Sequence, residues 1–323
     1  MEKKAKKHAH LGVELGVSDA IRTILKHNLI YLAGWEKAAR SPEDIEGVHQ
    51  TRVAFRRMRS ALTIFRQVIP KKVSAGWAKE MRELAGRLGA ARDLDVFIDE
   101  ALGSIRGKLP LPGAEKLEAL AMKHRDAAYE GVCVMLDGDS YNRFKTEFGQ
   151  WVDTRGWEQA SLKEKQRNLL DGDLLSFARK VLDRQERKVL EAGAHVDKYA
   201  AEEMHRLRIE CKKLRYAAEF FLPLFPGMDE FIGHMKGLQD LLGVMNDVAV
   251  TRHLLDQILE QETDTQVLEY AGGIVGWRTC YYHELLNSFE RRWDEFVEAK
   301  HPWWKKSALA AERKPDEAGS RGP

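Results

Sequence analysis

The sequence contains one His- and Arg-rich pattern twice, and this repeat constrains the fold more than any other feature. A histidine is followed by basic residues at the third, seventh, eighth and tenth positions, first from His49 and again, 156 positions later, from His205. In both copies an aromatic residue (Phe65, Phe221) and then a proline follow. Because long-period repeats mark duplicated supersecondary units, the sequence predicts two homologous halves.

A second repeated block follows each copy of the first. The pattern Leu-Gly-x-x-[Arg/Asn]-Asp occupies residues 88–93 and, 154 positions later, residues 242–247, with Arg82 and Lys236 at matching places upstream. Two blocks in the same order are hard to obtain by chance. The predicted organisation is a basic flexible arm at residues 1–10, a first half at 11–160, a second half at 161–304 and a disordered polar tail at 305–323.

The apolar residues recur with the period of an α-helix. Residues 48–65 carry an apolar stripe at helical spacing, formed by Val48, Phe55, Met58, Leu62 and Phe65. Residues 19–35 do the same, with Ile30 among the apolar positions. Alternating β-branched runs are essentially missing, so the sequence predicts an all-α fold.

Composition excludes several classes of protein. The hydrophobic share of 44% is enough for a buried core, but no apolar run approaches the roughly 20 residues of a membrane span. The three cysteines, Cys133, Cys211 and Cys280, form no CxxC pair, which argues against a disulfide framework. We therefore expect a cytoplasmic protein with no membrane association, no cofactor and no obligate protein partner.

The net charge of +2, from 52 basic and 50 acidic residues, conceals strong segregation of sign. No acidic residue occurs between Glu46 and Glu80, a window that holds eight Lys and Arg residues. Each repeat places a basic stripe beside the apolar face of its helix. The stripe of the first repeat consists of His49, Arg52, Arg56 and Arg59, and that of the second of His205, Arg208, Lys212 and Arg215.

Stacked cations on one helix repel one another, so these stripes need negative charge from elsewhere. Neighbouring helices could provide carboxylates, or an external polyanion could do so; duplication of the whole pattern favours the polyanion. Basic side chains about 5 Å apart along a helix suit a linear polyanion better than a single small phosphate. Arginine adds forked donors that match phosphate oxygens.

Two other classes of function are weaker interpretations. Phosphate-transfer enzymes normally hold Mg²⁺ on carboxylates, and the candidate carboxylates here are Asp93, Asp95 and Asp247. An interhelical ion pair explains these residues more simply. No P-loop or nucleophile elbow occurs in the sequence. We therefore expect no enzyme. A metal site at His49 or His205 is disfavoured because each histidine has a cation three residues later.

The paired basic helices, each followed by its Leu-Gly block, resemble the CHAD family of conserved histidine α-helical domains. The resemblance runs from about Leu15 to Phe296 and includes Trp277 after Gly272-Gly273-x-x-Gly276. It implies two four-helix-bundle-like halves, related by a pseudo-twofold axis around a basic central channel that binds inorganic polyphosphate. The implied binding residues are His49, Arg52, Arg56, Arg57, Arg59, Arg82, His205, Arg208, Lys212, Lys213, Arg215 and Lys236.

The sequence departs from the family pattern in three places. Lys212 and Lys213 stand where the first half has arginines, and Asn246 stands opposite Arg92, which puts Arg92 in doubt as a ligand. The Glu-x-Glu-x-Lys motif of a triphosphate-tunnel domain does not occur, so the chain resembles a stand-alone member without hydrolytic activity. The predicted function is non-enzymatic polyphosphate binding, with targeting to polyphosphate granules; the alternative is sequence-nonspecific binding of nucleic acid, in particular RNA.

Overall fold

The computed structural model describes residues 9–304, apart from the side chains of Met245 and Asn246. Over this range every regular element is helical, and the β-structure consists of one isolated bridge between Gly16 and Asp173. The prediction of an all-α fold is confirmed. No helix among these residues has the length and apolar character needed to cross a bilayer.

The first half contains seven α-helices and one π-helical segment. They are α1 (Val17–Ala39), α2 (Ile45–Ile64), α3 (Lys71–Arg87), α4 (Gly89–Val96), the π-helix (Phe97–Leu102), α5 (Gly103–Ile105), α6 (Ala114–Asp137) and α7 (Asp139–Asp153). The second half contains α8 (Glu164–Leu170), α9 (Leu174–Gly193), α10 (Ala201–Phe221), α11 (Met228–Ile258), α12 (Thr265–Leu286) and α13 (Phe289–Val297), with 3₁₀ turns at Leu222–Leu224 and Pro302–Trp304.

Each of the two basic helices packs against the helix that precedes it. Helix α2 packs along α1, helix α10 packs along α9, and α2 and α10 contact each other. In the first turn of α2, a Cβ at Gly47 would lie 2.2 Å from the carbonyl carbon of Ala38, so only glycine allows α1 and α2 to approach this closely. The close pairing fixes the direction in which the basic side chains of α2 point.

The apolar stripe predicted for α2 is buried along its whole length, as the helical period requires. On α1 the prediction is wrong at one position: Ile30 is 55% exposed. Ile30 lies nine residues after the buried Ile21, and nine steps of 100° place it on the opposite face of the helix.

Both halves contribute to each of the two apolar cores. The larger core includes Phe55 and Phe65 of the first half together with Phe221 of the second. The smaller core joins the π-helical segment, through Phe97, to α12, through Ile274. The halves are therefore packed against each other by apolar side chains, which holds α2 and α10 in place.

The predicted terminal segments fall largely outside the described residues. The tail at residues 305–323 and the first eight residues of the arm lie there. Of the remaining two residues of the arm, His10 is exposed and Ala9 is buried against the larger core.

Candidate anion-binding site

Two adjoining cavities open where α2 and α10 meet. The first has a volume of about 390 Å³ and the second about 330 Å³. Arg56 of α2 and Lys212 of α10 line both of them. These two side chains therefore stand at the junction between the cavities, one from each half of the molecule.

The first cavity brings together cations from both predicted stripes. His49, Arg52 and Arg56 line it from α2, and Arg208 and Lys212 line it from α10. All five side chains are half-buried, because they lie at the edge of the buried face of each helix. Arg52 is held by one hydrogen bond, in which its Nη1 donates to the carbonyl oxygen of Ala85 at 2.7 Å.

The repeated Leu-Gly blocks make room for the arginines of the repeated His-Arg pattern. A Cβ at Gly89 would lie 3.3 Å from Arg52 Nη1, and a Cβ at Gly243 would lie 3.9 Å from Arg208 Nη2. In each block an aspartate lies one helical turn after the glycine and is close enough to influence the same arginine electrostatically. The two sequence blocks of each half thus form one structural unit.

The two repeated aspartates, Asp93 and Asp247, line the first cavity. Burial raises the pKa of Asp93; Arg52 opposes this shift and Asp247 adds to it. The two carboxylates therefore lie near each other as well as near the arginines. Among residues 9–304 no three His, Cys, Asp or Glu side chains converge as metal ligands would.

The second cavity is lined by cations without a carboxylate. Its basic residues are Arg56, Arg59, Arg82, Lys212 and Lys213. Lys213 pairs with Glu210 at 2.6 Å. For the other four, no carboxylate of the part of the chain that the structure describes lies within ion-pair distance. Burial lowers the pKa of Arg59, and the nearby charge of Arg82 lowers it further.

Lys212 experiences the combined field of both cavities. Burial, together with the charges of Arg208, Arg56 and Arg215, lowers its pKa to about 8, whereas Asp247 acts in the opposite direction. A shift of this size means that the protonated amine lacks sufficient negative charge around it. An anion bound at the junction between the cavities would therefore favour the protonated form of Lys212.

Two predicted ligands, Arg57 and Arg215, lie away from the cavities. Arg57 is 2% exposed, its guanidinium lies 5.7 Å from the ring centroid of Phe220, and its Nη1 is 3.7 Å from Glu219 Oε2. The other oxygen of Glu219 accepts a hydrogen bond from Arg215 Nη1 at 3.1 Å. Arg57 and Arg215 line neither cavity but share Glu219, and the pair of Arg57 with Glu219 links α2 to α10.

The second histidine and the second upstream cation also lie apart from the cavities. His205 and Lys236 are exposed and line neither of them, whereas their counterparts His49 and Arg82 each line one. The structure therefore brings eight of the twelve predicted residues into the cavity walls, more of them from the first half than from the second.

Two lining arginines were not among the predicted ligands. Arg278 of α12 is 8% exposed, lines the first cavity, and has an Nε without a hydrogen-bond partner. Arg92, which the sequence left in doubt, also lines the first cavity. The sequence feature that could have indicated Arg278 is its place directly after Trp277, in the segment that follows Gly272-Gly273-x-x-Gly276. For Arg92, that feature is its place within the repeated Leu-Gly block.

The sequence of this chain is similar to those of known proteins. Two uncharacterized proteins of Mycobacterium tuberculosis, MT2285 and Rv2226, are each 28% identical over 255 residues, which is 76% of this chain. The chain spans about half (47%) of the length of these relatives.

Two solved structures share the fold. The CHAD domain of the plant Ricinus communis is 27% identical, with a TM-score of 0.78, over 93% of this chain and 98% of that one. PptA from Streptomyces chartreusis is 13% identical, with a TM-score of 0.65, over 87% of this chain and all of the other. The CHAD domain family matches residues 23–256 directly. This chain belongs to the CHAD domain family.

Proposed function

We propose that the protein binds inorganic polyphosphate in a basic channel formed by the two adjoining cavities, without acting on it chemically. One observation carries this proposal: Arg56, Arg59, Arg82 and Lys212 surround a continuous space without a carboxylate partner among the described residues. Like charges held this close repel, so the arrangement is stable only with an anion or at a cost in folding free energy. A chain of phosphates supplies a charge for each cation.

We further propose that the halves are four-helix-bundle-like and related by a pseudo-twofold axis that passes through this channel. Two pairs of repeat-equivalent residues lie near their own counterparts, one in the larger apolar core and one in the wall of the first cavity. The rings of Phe65 and Phe221 are 5.9 Å apart, and Asp93 and Asp247 are close enough to influence each other. A residue can contact its own duplicate only near the axis that relates the two copies.

The recessed position of the cations supports a single flexible polyanion over a duplex. Arg52, Arg56 and Arg208 are half-buried in cavity walls, whereas proteins that bind duplex DNA present their cations on an accessible face. A stripe from His49 to Arg59 spans about 15 Å at 1.5 Å per residue, long enough for several phosphates of one chain. Granule targeting would follow from the same binding.

A competition titration tests the ligand class. Labelled long-chain polyphosphate is displaced with unlabelled polyphosphate, duplex DNA or single-stranded RNA at equal phosphate concentration, at two salt concentrations. We expect unlabelled polyphosphate to compete best and all affinities to fall as salt rises. Displacement by DNA or RNA at comparable concentration would contradict the proposal.

A matched pair of variants separates the channel from general surface charge. Arg56→Glu reverses a cation at the junction, and Arg66→Glu makes the same change at an exposed position that lines neither cavity. We expect a large loss of polyphosphate affinity only for Arg56→Glu.

Incubation of polyphosphate with the protein and Mg²⁺ should leave the chain length unchanged on a gel, because binding without hydrolysis is proposed.

A further inference from the structure

The second cavity has an apolar wall that inorganic polyphosphate cannot use. Besides its cations it is lined by Ile64, Ala78, Ile209 and Tyr216. Ile209 is 39% exposed, although an apolar side chain of this size gains from burial. Polyphosphate has no apolar surface, so these side chains indicate a ligand that carries one beside its charge.

A buried acceptor belongs to a residue in the wall of the same cavity. Gln185 of α9 is 4% exposed and lines the second cavity, and its amide oxygen Oε1 has no hydrogen-bond partner. A buried acceptor left unsatisfied costs about 1–3 kcal/mol. The inner units of polyphosphate carry only acceptor oxygens, which cannot donate to Gln185. A ligand with an N–H or O–H group can.

We propose that the second cavity is a binding site for a nucleoside polyphosphate. The base lies against Ile209 and Tyr216, and the phosphates reach Arg56 and Lys212 at the junction. A rotation of the Gln185 side chain that turns its amide toward the cavity lets the base donate a hydrogen bond to Oε1. The volume of about 330 Å³ falls within the range of about 300–1,000 Å³ of small-molecule sites. The site does not depend on polyphosphate being the ligand of the channel, but the two ligands would compete for Arg56 and Lys212.

Calorimetry with ATP, GTP and tripolyphosphate tests the proposal. Tripolyphosphate carries at least as much negative charge as the nucleotides but lacks a base, so electrostatics alone predicts that it binds at least as well. We expect the better nucleotide to bind at least about tenfold more tightly, because the base gains apolar contact and one hydrogen bond. Equal or tighter binding of tripolyphosphate would overturn the nucleotide site.

Two variants remove the side-chain groups that are proposed to contact the nucleotide base. Ile209→Ser and Gln185→Ala should each weaken nucleotide binding about fivefold and leave tripolyphosphate binding unchanged. Ile209 is partly exposed, so its replacement should leave the fold intact. Ile30→Ser, at an isoleucine that is 55% exposed on α1 and lines neither cavity, is the matched control. Full nucleotide affinity in Ile209→Ser would refute the assignment.

Titrations with long-chain polyphosphate and with an oligoribonucleotide distinguish failure of the nucleotide site from failure of the proposed channel. If long-chain polyphosphate binds and nucleotides show no preference over tripolyphosphate, the nucleotide site is wrong and the channel stands. If nucleotides bind with the expected preference and polyphosphate does not bind, the channel is wrong and the nucleotide site stands. An oligoribonucleotide that binds more tightly than either nucleotide would replace the free nucleotide with single-stranded RNA as the ligand.

Discussion

Two adjacent arginines on α2 have different surroundings and, we infer, different roles. Arg56 lines both cavities without a carboxylate partner among the described residues, whereas Arg57 is buried near Glu219. The rotation of 100° per residue turns one side chain to the junction and the other to α10. At this scale, position around the helix, and not residue type, decides whether a cation is available to a ligand.

We expect Arg57→Met to destabilise the protein by about 3 kcal/mol, because it leaves the buried Glu219 with one fewer cation. Urea unfolding of the variant and the parent measures the difference in the free energy of unfolding. The control is Arg56→Met, which should retain stability and lose affinity for polyphosphate. Weak polyphosphate binding by Arg57→Met at full stability would show instead that Arg57 contacts the anion.

The affinity for polyphosphate should fall as pH rises from 7 to 9, because the pKa of Lys212 in the free protein is lowered to about 8. A bound polyanion favours the protonated amine, so binding near pH 8 should take up protons. Calorimetry in buffers of different ionisation enthalpy measures this uptake. Lys212→Arg should lower both the uptake and the pH dependence, and an unchanged profile would exclude Lys212 as their source.

The same shift has a defined effect on the stability of the free protein. In the unfolded chain Lys212 keeps its ordinary pKa near 10.5, so between pH 8 and 10.5 the unfolded state binds more protons than the folded state. The contribution of Lys212 to the free energy of unfolding therefore rises with pH across this window. Unfolding experiments on the parent and Lys212→Arg, run at both ends of the window, isolate this contribution.

At the scale of elements, the helices that carry the repeated Leu-Gly block differ between the two halves. Helix α3 ends at Arg87 and α4 begins at Gly89, whereas α11 runs without a break through Leu242 and Gly243. In both halves the glycine nevertheless lies beside the arginine of the basic helix. The contact between glycine and guanidinium is therefore common to both sequence repeats, whereas the continuity of the helix is not.

Gly89→Leu should weaken polyphosphate binding several-fold, because a side chain there displaces the guanidinium of Arg52. The control is Gly86→Leu, three residues earlier, where a Cβ would meet no atom within 4 Å. Both changes replace glycine in or beside a helix, so neither should cost helical stability. Titration with polyphosphate compares them, and equal affinities would mean that Arg52 does not depend on this glycine.

The sequence predicts the helices and the lining cations of α2 because both follow one local period. The buried stripe from Val48 to Phe65 and the cavity-facing stripe from His49 to Arg59 lie on adjoining faces of the same helix. The partner of Arg57 could not be predicted, because Glu219 belongs to the other half and meets Arg57 only through the crossing of α2 and α10. Arg278 was missed for a similar reason, since it lies on α12, outside either repeat.

At the scale of the whole molecule, a net charge of +2 is compatible with a strongly basic interior. Because Lys and Arg outnumber Asp and Glu by only two, the cations gathered in the cavities are offset by acidic residues elsewhere in the chain. Near-neutrality limits unspecific attraction of polyanions, while the local field at the junction remains.

If the halves act as one site, long polyphosphate should bind far more tightly than triphosphate. Arg52→Glu and Arg208→Glu should each weaken the binding of the long chain, and the double variant should nearly abolish it, because each half then opposes the anion. Fluorescence anisotropy with labelled chains of both lengths measures this. Equal affinity for the two lengths, or full affinity in the double variant, would show that the halves bind independently.

The contact between Phe65 and Phe221 has a consequence for the origin of the chain. In a symmetric homodimer, an isologous interface places a residue near the axis against the same residue of the other copy. Here the two rings occupy equivalent places in the repeat and lie 5.9 Å apart within a single polypeptide. If the proposed pseudo-twofold axis relates the two halves, the chain has the geometry of a self-complementary dimer whose subunits are joined covalently, and such an origin would have let each half diverge while its partner remained in place.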